Sequence, residues 1–239
     1  MLRKRTVAFL NKYVLDFLFP IECIYCQAEG VLVCESCFSG LKFKYHAKCL
    51  GCQRHNILSS LCSRCQKKYI LDEMMVAADY KQENVSQAIK LLKYKFLKDL
   101  SLYLGDFLSS FINYAEKETE IKNKDFVVIP IPLYWKRYNW RGFNQAEMIA
   151  DRVAKNLNLT LNTQLKRNKN RTPQVKLARR KRRENLKNCF SWQGGEEIKN
   201  KNILLIDDVA TTGSTLNEAA RELKKSGAKK IIGLSIAGE

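Results

Sequence analysis

Ile203-Leu204-Leu205-Ile206-Asp207-Asp208-Val209-Ala210-Thr211-Thr212-Gly213-Ser214-Thr215 is the stretch on which the fold turns. Four apolar residues read as a short buried strand. Two adjacent carboxylates follow at its carboxyl end, where α/β proteins place their chemistry. The loop from Ala210 to Thr215 carries four hydroxyls and one glycine. Beyond it Leu216, Ala219, Ala220 and Leu223 recur at helical spacing, so the loop opens a helix. A loop of this kind aims several backbone N–H groups at one anion, and the helix N-terminus adds its positive end. Gly213 permits close backbone approach, while Thr211, Thr212, Ser214 and Thr215 offer hydroxyl donors. Two carboxylates beside an anion site make sense when the ligand carries both a phosphate and a vicinal diol. The loop then takes the phosphate, and Asp207 and Asp208 accept hydrogen bonds from ribose hydroxyls.

Other strands that end in Asp-Asp belong to P-loop NTPases and receiver domains. The chain contains no G-x-x-x-x-G-K-[ST], so an NTPase would lack its phosphate cradle. It contains no G-x-G-x-x-G either, which removes the dinucleotide reading.

The 239 residues allow one or two domains, and a hydrophobic content of 46% is ample for a core. No apolar run approaches the roughly 20 residues of a spanning helix, so no membrane span is expected. Arg3-Lys4-Arg5 followed by Val7 to Phe19 imitates a signal peptide. Lys12 and Asp16 interrupt that run, however, and no small-residue cleavage site follows. Leu10, Val14, Phe17 and Leu18 suit one face of a short amphipathic helix instead. The expected location is cytoplasmic.

A reducing compartment leaves nine cysteines to be explained. Eight form four C-x-x-C pairs: Cys23/Cys26, Cys34/Cys37, Cys49/Cys52 and Cys62/Cys65. Each pair places two thiolates on one metal from a tight turn, and two pairs complete a tetrahedral four-thiolate zinc site. Short gaps favour two consecutive ribbons, although first with third and second with fourth is also compatible with the spacing. Metal binding would supply much of the folding energy of so small a module. His46 and His55 read as solvated loop residues, and Cys189 as a small core residue.

The net charge is +18 with cysteines neutral. Two zinc sites at about −2 each would lower it to roughly +14, still strongly basic and suited to polyanionic partners. Ten Lys/Arg and no Asp/Glu lie between Lys166 and Arg183. Arg179, Arg180, Arg182 and Arg183 in that block are candidates for a lid over an anionic ligand or for tracking a nucleic-acid backbone.

Composition changes near Gln66-Lys67-Lys68. The expected division is residues 1–70 for an N-terminal helix plus double zinc ribbon and 71–239 for an α/β domain. Strands are predicted at Met75–Tyr80, Phe126–Ile131, Cys189–Trp192 and Lys230–Ile236. Helices are predicted from Asn84 into Phe96, at Leu100–Tyr114 and at Phe143–Asn156, with a surface loop at Glu116–Lys124. Alternation of this kind implies a mainly parallel sheet. The Lys90, Lys93 and Lys95 cluster beside Tyr94 reads as a solvated face, with part of a phosphate site as the alternative. The loop Pro132–Arg141 should bring Arg137 and Arg141 to the same sheet edge as Asp207 and Asp208.

Taken with these features, Asp207–Thr215 resembles the phosphoribosyl-pyrophosphate (PRPP) signature of type I phosphoribosyltransferases. The cysteine pairs, Pro130-Ile131-Pro132, Arg141-Gly142-Phe143-Asn144-Gln145-Ala146 and Gln174-x-x-Leu177-x-x-x-x-Arg182-x-x-Asn185-Leu186 make the whole chain similar to the ComF family. That family is tied to natural competence and DNA uptake. The resemblance implies a type I phosphoribosyltransferase-like domain behind a zinc-ribbon module. It also implies PRPP on Asp207, Asp208, Ala210–Thr215, Arg137 and Arg141, with magnesium accompanying PRPP. Cys26 and Cys52 are followed by glutamine, where glycine is common in such knuckles. Purine-salvage relatives place an aspartate base where this chain has Thr211, so purine salvage is not expected. The start Met1-Leu2-Arg3 offers no N-terminal cysteine nucleophile for an amidotransferase. The expected function is a PRPP- or ribose-phosphate-binding protein acting in competence on imported single-stranded DNA, with the DNA-uptake machinery as a candidate partner. The alternative is an active magnesium-dependent phosphoribosyltransferase with an unidentified acceptor.

Overall fold

The computed structural model describes residues 20–43, 49, 51, 52, 54, 61–115, 121, 125–168 and 188–238. The expectations for residues 10–18, His46, His55, most of the 116–124 run and Arg179, Arg180, Arg182 and Arg183 lie outside them. The chain divides into two compact units, Met1–Lys42 and Phe43–Glu239.

In the first unit a bridge between Glu22 and Glu29 closes a tight turn, and a short helix α1 (Glu35–Ser39) follows Cys34. In the second unit α2 (Ser63–Gln66) follows Cys62, and β1 (Glu73–Asp79) leads to α3 (Glu83–Tyr94) and α4 (Leu100–Ala115). Next come β2 (Phe126–Pro130), α5 (Trp135–Arg141), α6 (Gln145–Asn156), β3 (Thr160–Leu161) and β4 (Leu165–Arg167). Then β5 (Phe190–Trp192), β6 (Asn202–Ala210), α7 (Ser214–Lys225) and β7 (Lys230–Gly238) complete the described chain. No helix among the described residues is long and apolar enough to cross a membrane.

The main sheet has the order β1-β7-β6-β2-β3, and every pairing in it is parallel. β4 and β5 form a separate antiparallel pair. Both faces of a parallel sheet are covered, which is why β2 is buried at all five positions and β6 opens on Ile203–Ile206, each fully buried. Pro130 ends β2, so the amide it lacks costs the ladder nothing within the strand; Ile131 resumes by donating to the Ile206 carbonyl at 2.8 Å. One core joins Val127, Ile129, Ile203 and Leu205 to Leu216, Ala219, Ala220 and Leu223 of α7. Cys189 belongs to the same core.

One expectation changes. The stretch 132–141 contains a helix, α5, that periodicity could not show: none of its residues is buried, so it has no apolar stripe to read. It stops at Gly142, whose φ of +76° is left-handed and natural for glycine. The compact units meet at Lys42 and Phe43. Cys49, Leu61, Cys65 and Tyr69 sit in one core with the sheet, so the second cysteine group goes with the larger unit.

α4 and α6 cross closely at Gly105. A Cβ there would lie 2.5 Å from the Arg152 Cβ and 3.2 Å from the Ile149 carbonyl oxygen. Beside the crossing Arg152 grips Asp106 through two hydrogen bonds of 2.6 and 3.0 Å. Gly105→Val should therefore force the helices apart and destabilise the protein by about 1–3 kcal/mol. Chemical denaturation of the variant against the parent checks this; equal midpoints would show that the crossing tolerates a side chain.

Candidate functional site

Because β2 and β6 run parallel as neighbours, their carboxyl ends open on one edge of the sheet. A cleft of about 200 Å³ lies there, lined by residues that include Lys93, Arg137, Arg141, Gln145, Arg167, Asp207, Asp208 and Thr215. Arg137, Arg141, Asp207, Asp208 and Thr215 were anticipated, and the fold brings all five to the cleft wall.

Asp207 and Asp208 follow the fully buried Ile203–Ile206 run of β6, and the Asp208 amide donates to the Asp207 carboxylate at 2.9 Å. Burial and the neighbouring Asp208 charge push the Asp207 carboxyl well above the usual carboxylate range. Asp208 differs. Burial pushes it upward too, but the Lys93 ammonium forms an ion pair with it and holds it below its ordinary value. Lys93 is itself drawn downward by burial, and Asp208 reverses that direction. The expectation of a solvated lysine face thus holds for Lys90 and Lys95, which are exposed, and is corrected for Lys93, which is partly buried against the acid.

The Arg141–Ala146 motif is explained by local geometry. Asn144 caps α6, accepting from the Ala146 amide at 3.2 Å and donating to the Ile131 carbonyl at 3.1 Å. This ties the start of α6 to the end of β2. Arg141 donates through one terminal nitrogen to the Gln145 side chain. Its Nε is buried without a hydrogen-bond partner. A buried guanidinium nitrogen left unsatisfied on a cleft wall is the donor an anionic ligand would use. Arg167, at the end of β4, brings the first part of the basic block into the same cleft and rests on the Phe190 ring at 5.5 Å.

Gly213 is left-handed at φ +67° and caps α7, and a Cβ there would lie 2.6 Å from the Met74 sulfur. The Thr212 and Ser214 hydroxyls share a hydrogen bond of 2.6 Å, so these two donors are partly engaged with each other. Thr212 is buried, and its carbonyl accepts from the Tyr69 hydroxyl at 2.7 Å; the Ile70 amide donates to the Asn217 side chain at 2.6 Å. The loop is therefore held from behind by the residues that follow the second cysteine group. Thr211, Ser214 and Thr215 are partly exposed.

Each cysteine group gathers consecutive pairs, Cys23, Cys26, Cys34 and Cys37 in one unit and Cys49, Cys52, Cys62 and Cys65 in the other. Within each, all sulfurs lie within 4.8 Å of one another. The Cys26–Cys34 and Cys52–Cys62 sulfurs are 3.6 and 3.8 Å apart. A zinc–sulfur bond of about 2.3 Å makes a tetrahedron whose edge is about 3.8 Å, so the donors fit zinc. The Cys34 amide donates to the Cys23 sulfur at 3.4 Å and the Cys62 amide to the Cys49 sulfur at 3.3 Å, the same supporting contact in both. Gln27 takes φ +62°, the conformation that a glycine would adopt without cost. Hydrogen bonds from the Ser36 hydroxyl and the Cys37 amide bring the Cys34 thiol down to about 6, and the Cys65 amide brings Cys62 down to about 7.

Fold and cleft define a phosphoribosyltransferase-type domain joined to two four-cysteine groups. The family model for the phosphoribosyl transferase domain matches residues 143–237. Competence protein F of Haemophilus influenzae is 30% identical over 220 residues, 89% of this chain and 95% of that protein. Competence protein ComFC of Bacillus subtilis is 30% identical over 205 residues, covering 82% and 79%. DNA utilization protein YhgH of Escherichia coli O157:H7 is 31% identical over 173 residues, covering 71% and 74%. The chain belongs to the ComF family.

Lys93→Met should leave the buried Asp208 carboxylate without its cation and cost about 3 kcal/mol at pH 7. In the parent, the lowered Asp208 value contributes stability that is present above the unfolded carboxylate pKa and lost as pH falls through the folded one. In the variant, burial and Asp207 raise Asp208 as well. Stability then increases as pH falls from that raised value towards about 4. The difference between the two proteins should accordingly shrink on acidification. Urea titrations at neutral and mildly acidic pH measure it, and a gap that widened with acid would contradict the pairing.

Proposed function

We propose that this protein binds PRPP or a closely related ribose phosphate and acts in competence on imported single-stranded DNA. The observation that carries the ligand is the cleft itself: two adjacent carboxylates face an unsatisfied arginine nitrogen beside a left-handed glycine loop at a helix N-terminus. The loop amides and the Thr211, Ser214 and Thr215 hydroxyls take the 5′-phosphate, and Asp207 and Asp208 take the ribose diol. Arg137, Arg141 and Arg167 face the pyrophosphate, whose remaining charge magnesium balances. Zinc occupies both cysteine groups and stabilises the segments around them. The competence role draws on the relatives named Competence protein F and ComFC, and the DNA role also on the relative named DNA utilization protein. The basic block 166–183, with Arg179, Arg180, Arg182 and Arg183, supplies charge for a polynucleotide backbone.

Turnover of PRPP is the second reading, and the three cleft arginines favour it, since they would stabilise departing pyrophosphate. Release of pyrophosphate from PRPP across candidate acceptors distinguishes turnover from binding alone.

Calorimetry with PRPP and magnesium tests the ligand. Asp207→Asn leaves the Lys93–Asp208 pair in place and should weaken PRPP about tenfold, the scale of one hydrogen bond. Unchanged affinity would overturn the diol assignment. Metal analysis should return about two zinc per chain for tetrahedral all-thiolate coordination. None in folded protein would refute it.

A further inference from the structure

Beside the cleft lies a surface that the ribose-phosphate reading does not use. Trp135, Tyr138 and Trp140 of α5 are 56, 47 and 59% exposed, and Tyr94 and Phe96 at the end of α3 are 59 and 40% exposed. Aromatic rings of this size are normally buried, and Tyr94, Phe96 and Trp140 gather at one place, an apolar patch of the kind that marks a binding surface, while Trp135 and Tyr138 stand on another side of α5 at about 100° per residue. The rings are organised. Phe96 meets Trp140 edge-on at 5.4 Å, and Tyr94 lies 6.5 Å from the same indole. Phe96 is also held at φ +58°, a left-handed conformation that a bulky side chain adopts only under constraint.

Cations are interleaved with the rings. The two segments read Lys93-Tyr94-Lys95-Phe96-Leu97-Lys98 and Trp135-Lys136-Arg137-Tyr138-Asn139-Trp140-Arg141, and no acidic residue occurs in 93–98 or 126–146. Lys136 lies 5.4 Å above Trp135, and Lys98 lies 5.3 Å above Phe143. Tyr94, Arg137 and Arg141 belong to this shelf and to the cleft wall alike, so the two are continuous.

Exposed aromatic faces alternating with cations suit one chemistry. Bases of a single strand stack on the rings while its phosphates meet the lysines and arginines. A duplex keeps its bases stacked inside and cannot use the rings. A protein partner with an acidic apolar surface would be attracted too, but the vicinal ring-and-cation repeat matches the base-and-phosphate repeat of a strand.

We infer that the α3 end and α5 form a base-stacking shelf for single-stranded DNA at the mouth of the ribose-phosphate cleft. The inference rests on the proposed action on single-stranded DNA and names where the strand sits. The shelf gives affinity with little sequence preference, because every base offers a π-face. It also gives discrimination against duplex, which the basic block alone does not.

The test uses the full-length zinc-loaded protein and a fluorescent oligothymidylate of about 20 nucleotides, longer than most single-domain footprints. Two variants are compared with the parent: Phe96→Ala, and Phe96→Ala together with Trp140→Ala. The first leaves the Trp140 ring in place, 5.9 Å from the Arg141 guanidinium carbon. PRPP calorimetry and thermal melting report on the fold and the cleft, and both should stay at parental values. Each lost stack should weaken the single strand by about tenfold, while affinity for a duplex of the same length stays unchanged. The salt slope should persist in both variants, since no phosphate contact has been removed. A parent protein that fails to bind the oligonucleotide would overturn the DNA reading and the shelf with it. A parent that binds, with both variants binding equally well, would overturn the shelf alone and reassign the patch to a protein partner.

Discussion

Two carboxylates placed side by side at the end of a buried strand repel each other and lose their water, and the cleft is arranged around that cost. Lys93 answers one of them. Its ammonium, largely covered, holds Asp208 ionised, while Asp207, with the like charge beside it, is pushed the other way. The two carboxylates therefore differ in character. That suits the diol proposed for them, whose hydroxyls need acceptors but not a net double charge. The rest of the cleft supplies the opposite sign, from Arg137, Arg141 and Arg167 on segments far apart in the chain.

The Ala210–Thr215 loop depends on a second constraint. A left-handed Gly213 starts α7, and the space where a Cβ would sit belongs to Met74. The Tyr69 hydroxyl holds the Thr212 carbonyl, and Asn217 holds the Ile70 amide. Tyr69 and Ile70 lie a few residues beyond Cys65, whose side chain shares a core with α7. The second cysteine group is thus built into the scaffold of the loop within the same compact unit. The first group, in the smaller unit, repeats its ligand geometry, with a cysteine amide donating across to a cysteine sulfur in both.

Much of the site was legible in the chain because its chemistry is local. Strand, carboxylates, loop and helix follow one another from Ile203 to Leu223, so the period change and the position of Gly213 suffice to read them. The four C-x-x-C pairs are local as well, and only their grouping stayed open. Lys93 was misread because its spacing along α3 matches a solvated face, and nothing nearby in the chain announces an acid more than a hundred residues later. Arg167 was read only as part of a basic block. The helix α5 escaped because an element with no buried side chain carries no hydrophobic period.

By itself the sequence determined the parallel α/β class, the Asp-Asp and hydroxyl-rich loop pattern and the four C-x-x-C pairs, since each is encoded by neighbours a few residues apart. Tertiary structure alone decided four things: which cysteine pairs share a site, which lysine meets Asp208, that the second cysteine group joins the sheet's core, and that the rings of α3 and α5 gather beside the cleft. Each of these is a contact between segments distant in the chain. Such contacts are set by which strands lie side by side and which helices cross, and no local spacing records that.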